Sequence, residues 1–130
     1  MSSDKIKNIR KDFEKSKIDF GCLPDNPFDL FNSWFDLALK TDKDNAINFV
    51  LSTVSADLIP NARVVLLRSY DEKGFVFFTN YNSSKAKDIE VNSTVSANFF
   101  WERLEKQVRI VGRSVKVSEL TSDNYFSSRP

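Results

Sequence analysis

Four groups of side chains in this sequence have types and spacings that could do chemistry, and all four are suited to holding a ligand. Arg63 opens and Arg68 closes the segment Arg63-Val64-Val65-Leu66-Leu67-Arg68. This odd spacing puts the two guanidinium groups on opposite faces of a regular strand, so they serve different partners unless a bulge intervenes. Both also read as solvated strand ends. Thr79-Asn80-Tyr81-Asn82-Ser83-Ser84-Lys85 runs from a strand end through a polar turn into a helix start. Backbone N–H groups there, together with Lys85, could bind an anion, phosphate being the obvious one. The plainer alternative is an ordinary serine N-cap beside an exposed lysine. Gln107 presents a donor and an acceptor on one amide, which suits the edge of a heterocycle. Tyr125 and Arg129 share one face of a final helix, where a phenol and a guanidinium could grip a second phosphate, or where Arg129 could complement the helix dipole.

The residue types that are missing narrow the chemistry further. The 130 residues include no histidine, one cysteine (Cys22) and three glycines (Gly21, Gly74, Gly112). Without histidine there is neither a serine or cysteine nucleophile paired with an imidazole nor a helical two-histidine zinc site. The glycines are too far apart to make a phosphate-cradling loop. One cysteine makes neither an internal disulfide nor a metal cluster. A chain of this kind borrows its reactive group from a cofactor or a substrate. Two anion-gripping clusters with no nucleophile fit a phosphorylated redox cofactor and a phosphorylated substrate.

Charge and hydropathy bound the partners. Nineteen basic residues against 18 acidic give a net charge of +1, which argues against a general nucleic-acid or membrane-surface binder. No apolar run is long enough to span a membrane, and the start, Met1 to Lys17, is too charged for an export signal. With an unpaired cysteine, these features point to the cytoplasm. Most of the 12 phenylalanines are expected in the core.

The elements that must position these residues follow from periodicity. Residues 4–16 place Ile6, Ile9 and Phe13 at helical spacing among charges, a short amphipathic helix. Asn26 is an expected N-cap with Pro27 at the first helical position, and the helix carries Phe31, Trp34, Phe35 and Ala38 on one face to about Thr41. Strands are expected from Ala46 to Val54, from Ala62 to Tyr70 (apolar on both faces, hence central), and from Phe75 to Thr79 after a turn at Gly74. A short helix follows from Ser83 to Val91, capped by Ser83 or Ser84. Two further strands, Thr94 to Trp101 and Gln107 to Val117, precede a last helix from Glu119 to about Ser128. Five largely hairpin-connected strands with flanking helices make one α+β domain, 1–130. It comprises a helical segment (1–42), a small closed or split antiparallel β-barrel (46–117) and a final helix (118–130).

With these blocks in order, the sequence resembles the pyridoxamine 5'-phosphate oxidase family. The resemblance is carried by Leu23-Pro24-Asp25-Asn26-Pro27 with Leu30-Phe31 and Trp34, then by Arg63 to Arg68 and Tyr70 to Asn80. It continues through Ser83-Ser84-Lys85-Ala86, Trp101, Leu104 to Arg109, and Tyr125-Phe126-Ser127-Ser128-Arg129-Pro130. It runs from about Ile9 to the last residue. It implies an FMN-binding split-barrel homodimer with the flavin at the subunit interface. Arg63, Val64, Val65, Leu66, Leu67 and Arg68, with Phe78 and Thr79, would line the flavin and its phosphate. Ser84 and Lys85 would face that phosphate and Gln107 the ring. Arg68, Tyr125 and Arg129 would hold the substrate phosphate, and the segment from Arg10 to Phe13 would close over the site. The implied reaction is hydride transfer from pyridoxamine or pyridoxine 5'-phosphate to flavin N5, with reoxidation by O2 giving H2O2.

Three departures from the family pattern matter. Arg68 stands where the family usually has lysine, and Ser84 where it usually has arginine, which removes one phosphate contact. Family members also continue past the position of Pro130 with further flavin and substrate groups. The competing expectation is therefore a shortened split-barrel module that binds FMN or phosphate without turnover. A nucleic-acid barrel using aromatics and lysines is the third class, disfavoured by the near-zero net charge.

Overall fold

In a computed structural model of the chain, the structure describes residues 2–7, 21, 23–79 and 83–116. Helix α1 covers Ser2–Lys7, and its Ile6 is exposed. The rest of the expected first helix, and the whole expected last helix, lie outside the described residues. Helix α2, Pro27–Thr41, begins as its sequence dictates: the Asn26 side chain accepts from the Phe28 N–H at 2.9 Å, and Pro27 fills the first turn, where no N–H is needed. Phe31, Phe35 and Ala38 fall on its buried face. A one-turn helix α3, Lys43–Ala46, follows. Ala46 thus closes a helix instead of opening a strand, and the Trp101 indole N–H pins its carbonyl at 3.0 Å.

Strands β1 (Asn48–Val54), β2 (Pro60–Leu66), β5 (Thr94–Trp101) and β6 (Lys106–Arg113) form one antiparallel sheet in the order β2-β1-β5-β6. Strands β3 (Ser69–Asp71) and β4 (Gly74–Val76) make a separate hairpin. Its turn holds Gly74 at φ 154°, where a side chain would be strained. Among the described residues there are therefore six strands, not five. The expected strand from Ala62 to Tyr70 breaks at Leu67-Arg68, whose N–H groups turn to Ile47 and Val76 carbonyls at 2.7 and 2.9 Å. Phe77, Phe78 and Thr79 lie beyond the end of β4. Among the described residues the sheet does not close, and β2 is an edge strand paired only with β1, not a central one. Its apolar run alternates in burial: Val65 is buried, while Val64 and Leu66 face outward.

The core forms where α2 crosses the sheet. Phe31 sits at its centre, edge-on to Tyr70, Phe75 and Phe99 at centroid distances of 4.9, 5.0 and 5.4 Å and stacked on Phe35 at 5.6 Å. Phe49 stacks on Phe99 from β1. Four described phenylalanines are buried and four half-buried, as their abundance predicts; Phe100 alone is exposed. The Tyr70 hydroxyl donates to Asn32, and burial, then the nearby Asp36 charge, raises its pKa, so the phenol keeps its proton. Helix α4, Ser84–Val91, is capped by Ser83, whose Oγ accepts from the Ala86 N–H at 3.2 Å. Among the described residues no helix is long and apolar enough to cross a membrane.

Two measurements check this account. Phe31→Ala should destabilise the fold by about 3–5 kcal/mol in urea unfolding, because one ring serves α2, the β3–β4 hairpin and the sheet at once. Ser83→Ala should cost about 1 kcal/mol, confined to α4 and visible as faster amide exchange at Ala86 and Lys87.

Candidate functional site

The start of α4 and the β1–β2 edge are joined by one polar cluster. Leu51 pairs with Arg63 across the two strands, and Thr53 with Asn61, so all four share a sheet face. Alternation puts Phe49, Leu51 and Thr53 inward, and Thr53 is fully buried. Thr53 donates to Asp88 Oδ2 at 2.9 Å, and Asn61 Nδ2 donates to the same oxygen at 3.1 Å. Arg63 Nη1 donates to Thr53 Oγ1 at 2.8 Å and to the Leu51 and Asn61 carbonyls at 3.2 and 3.4 Å. Arg63 Nη2 lies 3.9 Å from Asp88 Oδ2. Asp88 is buried on α4, and a buried carboxylate is tolerable only with such partners.

Arg63 is thus a half-buried, partnered charge and not a solvated strand end. Arg68 is exposed. The inward–outward alternation continues past the end of β2 through buried Leu67, so the two arginines face different surroundings, as the odd spacing predicts. Thr79 Oγ1 lies 3.3 Å from Ser83 Oγ, which brings the end of the β4 segment to the α4 cap. Ser84 and Lys85 occupy the first turn, with Lys85 half-buried. The Ser83 side chain takes the Ala86 N–H and its carbonyl the Lys87 N–H, so the two amides of the first turn are the outward-facing ones. Asp88 stands one helical turn beyond Ser84 on the same face, which couples Arg63 to this end of α4.

Gln107 lies apart from this cluster. It sits exposed on β6, at the opposite edge of the sheet from β2, three strand spacings or roughly 14 Å away along a flat sheet. Asn98 Nδ2 donates to Gln107 Oε1 at 3.3 Å, and Asn98 Oδ1 is shielded from solvent with no hydrogen-bond partner among the described residues. The exposed Gln107 amide is the group of this pair that a ligand could reach. Among the four groups, then, the structure ties Thr79 to the α4 cap at Ser83 and Arg63 to Asp88 further along the same helix, and keeps Gln107 separate. Phe78 is half-buried beside Thr79. Arg10, Phe13, Tyr125 and Arg129 lie outside the described residues. Thr53, Asn61, Asp88 and Asn98 were not singled out from sequence. Only Thr53 carried a signal, as the one polar residue in the inward series of β1.

This donor set suits a phosphorylated heterocycle. A guanidinium whose Nη2 makes no hydrogen bond among the described residues, a capped helix start, a lysine and two hydroxyls are phosphate ligands, and an exposed amide suits a ring edge. Among the described residues no group of histidine, cysteine and acidic side chains could hold a metal.

Comparison with known proteins agrees. The family model described as pyridoxamine 5'-phosphate oxidase matches residues 38–130. A pyridoxine/pyridoxamine 5'-phosphate oxidase from Flavobacterium johnsoniae is 45% identical over 126 residues, covering 96% of this chain and 59% of the relative. One from Christiangramia forsetii is 44% identical over 128 residues with the same coverage. The chain therefore spans about three-fifths of the length of these curated relatives. Among solved structures, PhzG from Burkholderia lata 383, crystallised with tetrahydrophenazine-1-carboxylic acid, superposes with a TM-score of 0.80 at 22% identity, covering 90% of this chain and 59% of that one. A pyridoxamine 5'-phosphate oxidase-related, FMN binding protein from Nostoc punctiforme gives 0.59 at 20% identity, covering 73% and 53%. At such identities these two speak to the fold alone, an antiparallel split barrel with flanking helices, left open here among the described residues. Sequence blocks, polar cluster and fold lead to one conclusion: this chain belongs to the pyridoxamine 5'-phosphate oxidase family.

Proposed function

We propose that this chain is the FMN-binding portion of an oxidase that converts pyridoxamine or pyridoxine 5'-phosphate to pyridoxal 5'-phosphate. The observation that carries the reading is that α4 gathers polar groups from separate strands, with Thr79 at its Ser83 cap, Ser84 and Lys85 in its first turn and Arg63 at Asp88 one turn on. FMN, when bound, supplies the hydride acceptor and, through O2, the route to H2O2. The chain's own residues bind and orient. Lys85, the first-turn amides and Arg63 would hold the cofactor phosphate, with Ser84 contributing a hydroxyl in place of a charge. Val64 and Leu66, with Phe78, would offer apolar side chains along the same strand, and Val65 and Leu67, buried beneath, only their backbone. Gln107, with Asn98 behind it, would address the ring edge by hydrogen bonds. Arg68, Tyr125 and Arg129 would take the substrate phosphate, and Arg10 to Phe13 would cover it.

A homodimer belongs to the same proposal. The two halves of the donor set lie on opposite sheet edges, and a second copy is the economical way to bring a Gln107 to an Arg63 edge. The outward faces of Val64 and Leu66 on β2 and of Phe100 on β5 support that contact. A cytoplasmic setting with no nucleic-acid or membrane partner completes the proposal.

The purified protein should be yellow, or become so with FMN, and should sediment above its 14.9 kDa monomer mass. Lys85→Ala should weaken FMN about tenfold and riboflavin little, since one charge-assisted phosphate contact is lost. Gln107→Ala should weaken both flavins alike. Pyridoxal 5'-phosphate and H2O2 formed in equal amounts would support the oxidase. Flavin bound without product would replace it by a binding module, a reading kept in view because the chain spans 59% of its relatives. A colourless protein that binds no FMN would overturn both.

A further inference from the structure

Arg63 is hydrogen-bonded through one terminal nitrogen, while the other is only ion-paired, to Asp88 at 3.9 Å. Nη1 donates to Thr53 Oγ1 and to two strand carbonyls, whereas Nη2 makes no hydrogen bond among the described residues and stands 3.9 Å from Asp88. Asp88 therefore reaches Arg63 in two ways, directly as an ion pair and by hydrogen bonds through Thr53. A hydroxyl has a single proton, and Thr53 gives it to Asp88 Oδ2, so a Thr53 lone pair is left to face Nη1. Asn61 Nδ2 donates to the same oxygen; the Asn61 oxygen that accepts from Nη1 is its backbone carbonyl, which β2 itself holds. Remove the acceptor on Asp88 and Thr53 is free to turn its proton toward Arg63, where donor would meet donor.

We propose that Asp88 is a positioning residue for the phosphate site: by orienting Thr53 it fixes Arg63 through Nη1 and leaves Nη2, which makes no hydrogen bond among the described residues, to turn to the anion. Asp88 is ion-paired with Nη2 at 3.9 Å and accepts from two neutral donors at 2.9 and 3.1 Å; the positioning is assigned to the hydrogen bonds, because they alone fix a direction. The inference rests on the proposal that a cofactor phosphate binds at this end of α4. It adds that a buried side chain with no ligand contact of its own sets how tightly that phosphate is held.

The acceptor role and a merely structural one give different results with two flavins that share a ring and differ by the phosphate. Asp88→Ala should raise the FMN dissociation constant about tenfold and leave riboflavin affinity unchanged. Asp88→Asn keeps an acceptor oxygen and should bind FMN within about twofold of the wild type, or tighter, since a negative charge near the anion is gone. Thr53→Val should repeat the alanine result and Thr53→Ser should not, which carries the test should Asp88→Ala fail to fold. Equal loss of FMN and riboflavin would overturn the proposal in favour of simple destabilisation. An Asp88→Asn variant as weak as Asp88→Ala would overturn it in favour of a counter-charge. In the flavin-free protein, nitrogen NMR of the Arg63 guanidinium should show restricted rotation in the wild type and Asp88→Asn but free rotation in Asp88→Ala. That readout separates the two levels. A wild type that binds no FMN overturns the functional reading, whereas unrestricted Arg63 in the wild type overturns the positioning of Arg63 whatever the flavin result.

Discussion

A buried carboxylate bonded across two elements is the constraint on which the site depends. Asp88 sits on α4, yet its hydrogen-bond donors come from β1 and β2. Taking a carboxylate out of water costs several kcal/mol unless donors replace the lost hydration. The helix therefore has one docking position that satisfies Asp88, and any slip along the sheet strands an uncompensated charge. That docking fixes the start of α4 beside the β2 edge, and with it Ser84, Lys85 and the Thr79–Ser83 contact. An apolar helix face could have packed as well, but with less discrimination between neighbouring registers.

The sheet that receives Asp88 is held by a different kind of interaction. Phe31 on α2 packs against rings from the β3–β4 hairpin and from β5, and Trp101 closes the far side while bonding to the Ala46 carbonyl. Aromatic packing on this scale is broad and non-directional compared with the Asp88 cluster. The two divide the work. The ring core supplies stability and fixes where the sheet lies relative to α2, and the polar cluster sets the orientation of a few donors at one edge. Precision at the site comes from hydrogen bonds with fixed donor and acceptor roles, supported on a rigid face.

Much of the architecture was legible because it is written locally. Asn26-Pro27 starts α2, Ser83 caps α4, Gly74 turns the β3–β4 hairpin, and β5 runs from Thr94 to Trp101 as its residue types require. What was not legible is set by partners distant in sequence. Val64 and Leu66 gave β2 the look of a central strand, but an apolar residue on an edge strand has the same local signature until the pairing is known. The break at Leu67-Arg68 follows from carbonyls offered by Ile47 and Val76, which no window around Arg68 contains. Arg63 read by its spacing more readily as a solvated strand end than as a ligand-binding residue, since its partners Thr53 and Asp88 stand 10 and 25 residues away. Asp88 itself reads as one more charge on a polar helix. The roles of the site residues came from the ordered resemblance, not from any one spacing.

The separation of Gln107 from the α4 cluster bears on how the fold makes a site at all. A sheet edge exposes a row of groups, and an open split barrel has two such edges, here β2 and β6. A ligand large enough to need both a phosphate grip and a ring-edge contact cannot find both on one edge of this chain. Either the sheet curls until its edges meet, or a second copy supplies the complementary edge. The described strands leave β2 and β6 unjoined, and the outward residues of β2 are apolar, not the charges that usually guard a lone edge. An edge of that composition is costly in water and favourable against another surface. The dimer proposed above would meet both a site divided between two edges and an apolar edge in want of cover. On that proposal the departures at Ser84 and Arg68 would act within the phosphate-holding half, and leave Gln107 and Asn98 on the other edge untouched.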